Sequence, residues 1–160
     1  LIDRENLSKI KNNWQSQIGY VPQNVYLSDD SIKNNIAYGE NEEDINIKKI
    51  ENISKKTQLK KLISELPEGI QTKVGELGER LSAGERQRIG IARALYNGPK
   101  VLIFDEFTSS LDIDTERRIL DELDIFEKER TIIIISHRMS TLSKCEKIFQ
   151  LSNKGLKQIK

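Results

Sequence analysis

Cysteine is nearly absent from this chain of 160 residues, and long apolar runs and a surplus of charge of one sign are missing altogether. The single cysteine, Cys145, cannot form a disulfide within the chain, which is typical of a reducing compartment. The longest aliphatic run, residues 132–135, is far too short to cross a membrane, and the charged, polar beginning shows no signal peptide. We therefore predict a soluble, globular chain.

The charges are balanced, with 26 basic and 25 acidic side chains giving a net charge of +1. A surface that binds nucleic acid or anionic lipid is usually strongly basic, so neither partner is indicated. The lysine-rich residues 48–61 are interpreted as the solvated face of a helix. The length allows one domain with a sizeable core.

One phosphate-binding motif is also absent. No glycine is followed directly by lysine, so the pattern G-x-x-x-x-G-K-[ST], whose backbone cradles phosphates, does not occur. A helix N-terminus can also hold a phosphate, because its free N–H groups and the positive end of its dipole face the ligand.

Such a helix start is predicted at residues 82–85. Ser82 and Glu85 have the S-x-x-E spacing of a capping box, in which each side chain bonds the backbone N–H of the other residue. Gly84 leaves no side chain over the start of the helix, and Ala83 leaves only a methyl group. An isolated S-x-x-E is usually just a helix start, so the motif needs support from the residues that follow.

That support comes from residues 101–106. The apolar run at 101–104 is typical of a strand covered on both faces in a parallel sheet. Asp105 and Glu106 come at its carboxyl end, where open α/β sheets bind ligands. Successive strand residues point to opposite faces, so one carboxylate can hold Mg²⁺ while the other orients or deprotonates a water.

Three segments in order now resemble one family. LSAGERQRIGIARAL (81–95), VLIFDE (101–106) and SSLD (109–112) resemble the signature motif, the Walker B motif and the D-loop of an ABC transporter nucleotide-binding domain. The resemblance implies an α/β fold: a P-loop NTPase-like (RecA-like) parallel sheet with an inserted helical subdomain. It implies ATP and Mg²⁺ as cofactors. The family's phosphate loop lies upstream of the segment that residues 1–3 resemble, so we expect the chain to hold the later part of a domain.

Within that scheme the resemblance places the helical and signature subdomain at about residues 27–97. Residues 1–26 and 98–160 then form the RecA-like lobe. The local patterns predict strands at 18–21 and 131–135, a hairpin at 147–159, and helices that begin at Ser31 and Asp44. The helical pattern that follows Asp44 is expected to continue as far as Pro67.

The resemblance also assigns further site residues. Gln23 matches the Q-loop, which implies a Mg²⁺ ligand or a contact with its waters. His137 matches the H-loop, which implies contact with the γ-phosphate and support of the attacking water, with Glu106 acting on that water. Asp112 of the D-loop is implied to cross a dimer interface, although Asp112 or Asp114 can also cap the next helix.

The implied partners are a second nucleotide-binding domain, packed head to tail, and the transmembrane domain of an exporter. The second domain would contribute residues 82–85 to the ATP site. The transmembrane domain would be contacted through the Gln23 region and through residues 72–78 (TKVGELG, from Thr72 to Gly78), which are similar to the X-loop of exporters. Glu76 would be the contact residue there. This places the chain at the cytoplasmic face of the inner or plasma membrane.

The expected function is therefore ATP binding and hydrolysis that powers export, in a chain that is inactive alone because its phosphate loop is absent. A non-transport ABC ATPase remains an alternative, of either the DNA-repair or the ribosome-associated type. Proteins of the DNA-repair type carry a long coiled coil, and residues 24–80 of this chain show no sustained heptad pattern. A fragment that acts only as a dimerisation partner is the third alternative. Ala83, Glu85 and Phe107 depart from the family's usual residues, and no residue indicates the transported substrate.

Overall fold

The computed structural model describes residues 14–108, 111–124, 130–143, 145–153 and 155–160. Its centre is a parallel sheet of three strands, β1 (Ile18–Val21), β2 (Val101–Asp105) and β3 (Thr131–Ile135), in the order β1-β2-β3. All three predicted strands are confirmed, with β2 one residue longer than its apolar run. Because the strands are parallel and in register, their carboxyl ends lie at one edge of the sheet.

Helices fill most of the chain between β1 and β2. They are α1 (Ile32–Ile36), α2 (Ile47–Lys56), α3 (Lys60–Glu65) and α4 (Ala83–Tyr96), with 3-10 turns at Glu42–Asp44, Gly69–Gln71 and Glu76–Gly78. The later elements are α5 (Ile113–Asp124), α6 (Met139–Leu142) and the antiparallel hairpin of β4 (Phe149–Ser152) and β5 (Gly155–Gln158). This mixture of parallel sheet and helices confirms the predicted α/β, P-loop NTPase-like fold.

One face of the sheet is covered and the other is open. Leu102 and Phe104 on β2 are fully buried. Helix α4 packs on β1, and its residues Ile89, Ala92 and Leu95 are buried. On the opposite face Ile133 is 46% exposed. The prediction that residues 101–104 are covered on both faces is confirmed for one face only, since Leu102 and Phe104 are buried while Val101 and Ile103 on the other face are half-buried.

Two helix boundaries also differ from the prediction. Ser31 caps α1 as expected, accepting from the N–H of Asn34. The next long helix begins at Asn46 rather than Asp44, because the Asn46 side chain accepts the N–H of Lys49 while Asp44 ends a 3-10 turn. The helical pattern is then interrupted at Gln58, whose φ of +57° separates α2 from α3.

Residues 1–13, 109–110, 125–129, 144 and 154, to which the family resemblance also extended, lie outside the described residues. Among the helices that the structure describes, none combines the length and the apolar character needed to cross a membrane.

Candidate active site at the carboxyl edge of the sheet

Three predicted site residues meet where the strands end. Gln23 follows β1, Glu106 follows β2 and His137 follows β3. The Gln23 side chain donates from Nε2 to Oε2 of Glu106 at 2.8 Å, and Nε2 of His137 lies 2.8 Å from Oε1. Both oxygens of the Glu106 carboxylate are thus held, one by each neighbouring strand end. The His137 side chain remains 90% exposed, so the cluster faces solvent.

The backbone of Glu106 turns sharply at this point. Its φ of +46° lies in the left-handed region, which costs energy for a residue with a side chain and recurs at functional sites. Its N–H donates to the carbonyl of Ile135 at 2.9 Å. The next residue, Phe107, is fully buried, with its ring 4.6 Å from that of Phe104. Phe107 is therefore part of the core, and it anchors the turn that presents Glu106.

Asp105 has a partner that the sequence did not indicate. The hydroxyl of Tyr20 on β1 donates to Oδ2 of Asp105 at 3.0 Å. The pair arises because the parallel register sets Tyr20 opposite Ile103, two residues before the end of β2 on the same face. This hydrogen bond, with smaller contributions from burial and from the charge of Asp105, raises the pKa of the Tyr20 hydroxyl.

This pKa shift makes a testable prediction. In Asp105→Asn the Tyr20 hydroxyl should ionise at lower pH, because an amide can donate to the phenolate whereas a carboxylate only repels it. Alkaline titration by tyrosinate absorbance measures this, and the component that disappears in Tyr20→Phe identifies Tyr20. Because the folded-state pKa is raised, the pair stabilises the fold fully below the unfolded pKa of about 10 and less as the pH rises through the folded value. An unshifted component in Asp105→Asn would show that Tyr20 does not bond the carboxylate.

The predicted capping box is confirmed at the start of α4. The N–H of Ser82 donates to Oε2 of Glu85 at 2.7 Å, and the N–H of Glu85 donates to the Ser82 hydroxyl at 3.3 Å. Glu85 thus folds back onto the cap, and its charge is held at the helix start. Ala83 and Ser82 are exposed and Gly84 is half-buried. Ser82 and Glu85 make their hydrogen bonds with each other and not with the cluster around Glu106. The start of α4 therefore forms a second, separate surface.

Asp112 caps α5. Its Oδ1 accepts the N–H of Thr115 at 2.9 Å, and its carbonyl accepts the N–H of Glu116. These bonds from Thr115 lower the pKa of the Asp112 carboxyl. Of the two candidates, Asp112 rather than Asp114 makes this contact. The carboxylate is exposed, so the cap leaves it accessible.

Residues 72–78 precede α4 and are partly exposed: Val74, Gly75 and Gly78 are buried, whereas Glu76 and Leu77 are exposed. Gly75 and Gly78 have φ of +79° and +72°, which suits glycine. Leu77 between them also has a positive φ, +53°, and is 57% exposed, and Glu76 is exposed beside it. The turn therefore presents an acidic and an apolar side chain to the outside, at a cost in backbone energy.

Two further residues hold α4 near Gln23. The buried Gln87 donates to the carbonyl of Pro22 at 3.2 Å. Arg93 donates from Nη1 to the carbonyl of Tyr26 and from Nε to the carbonyl of Asn35, each at 2.8 Å. Burial lowers the pKa of Arg93. No local sequence pattern signals these carbonyl partners of Arg93.

The side chains at the carboxyl edge of the sheet supply some of the oxygen ligands that Mg²⁺ needs. Among the described residues, no cluster of three or more His, Cys, Asp or Glu side chains is placed to hold a metal. Tyr20 occupies Oδ2 of Asp105 and leaves Oδ1 for a ligand, and Gln23 donates through Nε2 and leaves its carbonyl oxygen. One carboxylate and one amide oxygen suit Mg²⁺, which keeps several waters and binds phosphate oxygens.

Known proteins resemble this chain over most of its length. The family model described as "ABC transporter" matches residues 1–109. An ATP-dependent lipid A-core flippase of Pectobacterium atrosepticum is 42% identical over 149 residues, which cover 92% of this chain and 25% of the flippase. ABC transporter B family member 21 of Arabidopsis thaliana is 40% identical, covering 92% of this chain and 11% of the relative.

A solved structure agrees with these relatives. The structure of a bacterial Atm1-family ABC exporter with ATP bound superposes with a TM-score of 0.79 at 39% identity, covering 84% of this chain and 24% of the exporter. The chain spans about a quarter or less of the length of these relatives. Since the family model covers more than half of the chain, the chain belongs to the ABC transporter family, within its exporter type of nucleotide-binding domain.

Proposed function

We propose that the chain forms part of an ATPase that powers export across a membrane. The observation that carries the proposal is the cluster of Gln23, Glu106 and His137, in which side chains from three strand ends converge on one carboxylate. Catalysis of phosphoryl transfer is mostly positioning and charge stabilisation, so a carboxylate held from two sides is suited to orient a water. The ATP-bound exporter with the same fold supports a nucleotide as the ligand.

Each residue of the site would have its own role in ATP hydrolysis. Glu106 would accept a proton from the attacking water or orient it, and His137, which contacts Glu106, would lie near the γ-phosphate. Asp105 and the Gln23 carbonyl would hold Mg²⁺, which supplies charge neutralisation on the phosphates when bound. The exposed helix start at Ser82 and Gly84 suits the phosphates of an ATP held by a second copy or a related domain, packed head to tail. Asp112 would lie at that interface.

The remaining assignments follow the same scheme. We place the helical subdomain at residues 27–97 and the RecA-like lobe at 1–26 and 98–160. The Gln23 region and residues 72–78 would contact a transmembrane domain at the cytoplasmic face of the membrane, since Glu76 and Leu77 are exposed there. The relatives' names include a lipid A-core flippase, and an export substrate of this chain would be selected by the transmembrane domain.

The proposal is tested by Mg-ATP calorimetry on two polypeptides. One is the 160-residue chain, and the other is extended upstream to include the phosphate loop of its parent gene. We expect binding only by the extended form, because the loop supplies most of the contacts to the phosphates. The control is the extended form with the lysine of its loop replaced by alanine, which should lose binding.

Two outcomes would contradict the proposal. Tight binding by the 160-residue chain alone would mean that the phosphate site is built from other residues. No binding by the extended form would favour the alternative of a dimerisation partner without catalysis.

A further inference from the structure

Glu116, in the first turn of α5, is the one buried carboxylate among those whose side chains the structure describes. Its side chain is 6% exposed. Oε2 accepts from Nη1 of Arg138 at 2.7 Å, and Oε1 accepts from the hydroxyl of Thr141. Both partners lie just after β3, so one side chain of α5 holds the segment that follows His137.

Burying a carboxylate is costly unless it is paired and hydrogen-bonded. Here both oxygens are satisfied, one by a guanidinium and one by the fully buried Thr141. A buried ion pair of this kind adds little to stability compared with an apolar pair, but it defines where its partners lie. The contact therefore restricts the position of α6 and of Arg138.

His137 depends on that restriction. Its side chain is 90% exposed, so core packing does not place it. On its N-terminal side the chain is held by β3, and on its C-terminal side the N–H of Arg138 donates to the Ser136 hydroxyl at 3.0 Å. The bond from Arg138 to Glu116 then ties this turn to α5. At its own start α5 is joined to Asp112, since the N–H of Glu116 donates to the Asp112 carbonyl.

We infer that Glu116 is a positioning residue: through Arg138 and Thr141 it holds His137 against Glu106, and it links that contact to the Asp112 end of α5. The inference rests on the proposed function. A shift of α5, for example when Asp112 meets a second domain, moves the turn that carries His137. Glu116 touches neither nucleotide nor water in this role.

The test is a double-mutant cycle in the full-length protein that contains this chain. Glu116→Gln should lower kcat for ATP hydrolysis about 10- to 100-fold, the range expected when a catalytic group is misplaced by about 1 Å. The KM for ATP should change little, since binding does not use Glu116. In a His137→Ala background the same substitution should have no further effect on kcat, because Glu116 acts through His137.

Two control variants separate a loss of His137 positioning from general damage to the fold. Glu43→Gln, at an exposed position of the 3-10 turn Glu42–Asp44, should leave kcat unchanged. Thr141→Val keeps the side-chain volume and removes one of the two bonds to Glu116, so it should show the same pattern with a smaller loss, even if Glu116→Gln folds poorly.

The outcomes are distinguishable. Suppose that the wild type hydrolyses ATP but Glu116→Gln or Thr141→Val lowers kcat equally with and without His137. That result would overturn the inference and leave the proposed function intact. Unchanged kcat in both variants would also overturn it. A wild type without ATP hydrolysis would overturn the proposed function, and the inference with it.

Discussion

Glu106→Gln in the full-length protein is expected to retain ATP binding while turnover falls about 10²- to 10⁴-fold, the usual contribution of a general base. The amide keeps the size of the carboxylate, but its NH2 end cannot accept a hydrogen bond from Gln23 or His137 as the lost oxygen did, and the group cannot accept a proton at neutral pH. Nucleotide affinity and single-turnover hydrolysis of ATP measure the two effects separately.

The matched control for this substitution is Glu65→Gln. Glu65 lies on the exposed surface of α3, 3.8 Å from Lys61 in an ion pair between two solvated side chains, which contributes little. The Glu65→Gln variant should bind and hydrolyse ATP like the wild type. Turnover by Glu106→Gln at the rate of this control would remove Glu106 from the role of base, and the water would then have to be activated by another group.

The elements that local chemistry determines could be predicted from the sequence. The apolar runs of β1, β2 and β3 stand out because each is short and bounded by polar or turn residues. The caps at Ser31 and Ser82 are local too, since an N-cap contacts a residue only three positions away. Where two capping residues compete within one turn, as Asp44 and Asn46 do, the pattern predicts the helix but not its first residue.

The meeting of Glu106 and His137 could also be predicted from the strand pattern, whereas Gln23 was assigned by the family resemblance alone. Each follows a strand, and the ends of parallel strands share one edge. The hydrogen bonds among them required the structure, because they depend on the register and on the turn after β2. This turn is shaped by the left-handed φ of Glu106 and the burial of Phe107, and neither follows from the sequence pattern.

Contacts between distant elements could not be predicted at all. Tyr20 with Asp105, and Glu116 with Arg138 and Thr141, join side chains that are 85, 22 and 25 positions apart. Each residue has an ordinary local reading, Tyr20 as a strand residue and Glu116 as part of a charged helix turn. Only tertiary packing decides that the first meets a carboxylate and that the second is buried.

Gly19→Ala and Gly90→Ala are expected to destabilise the fold, because α4 lies close to the chain on either side of Gln23, at Gly19 before it and at Val25 after it. A Cβ at Gly19 would lie 2.6 Å from the main-chain carbonyl oxygen of Ala94, and one at Gly90 would lie 2.4 Å from Cγ2 of Val25. Overpacking of this kind costs about 1–3 kcal/mol in free energy of unfolding. Urea unfolding of the chain, followed by circular dichroism, measures it.

The two substitutions differ in which second substitution can remove the steric clash. In a Val25→Ala background the two methyl groups that crowd Gly90 are gone and only the Cβ of residue 25, at 3.2 Å, remains. Gly90→Ala should therefore cost much less there, and the preference of a helix interior for alanine over glycine, about 1 kcal/mol, offsets part of what is left. Gly19→Ala meets a backbone atom, so the same background should leave its cost unchanged. Equal costs of Gly90→Ala with and without Val25 would show that α4 does not approach this segment closely. The expected difference would instead place α4 and the segment around Gln23 in one packed unit, with Gly19 against the main chain of α4 at Ala94 and Gly90 of α4 against the side chain of Val25.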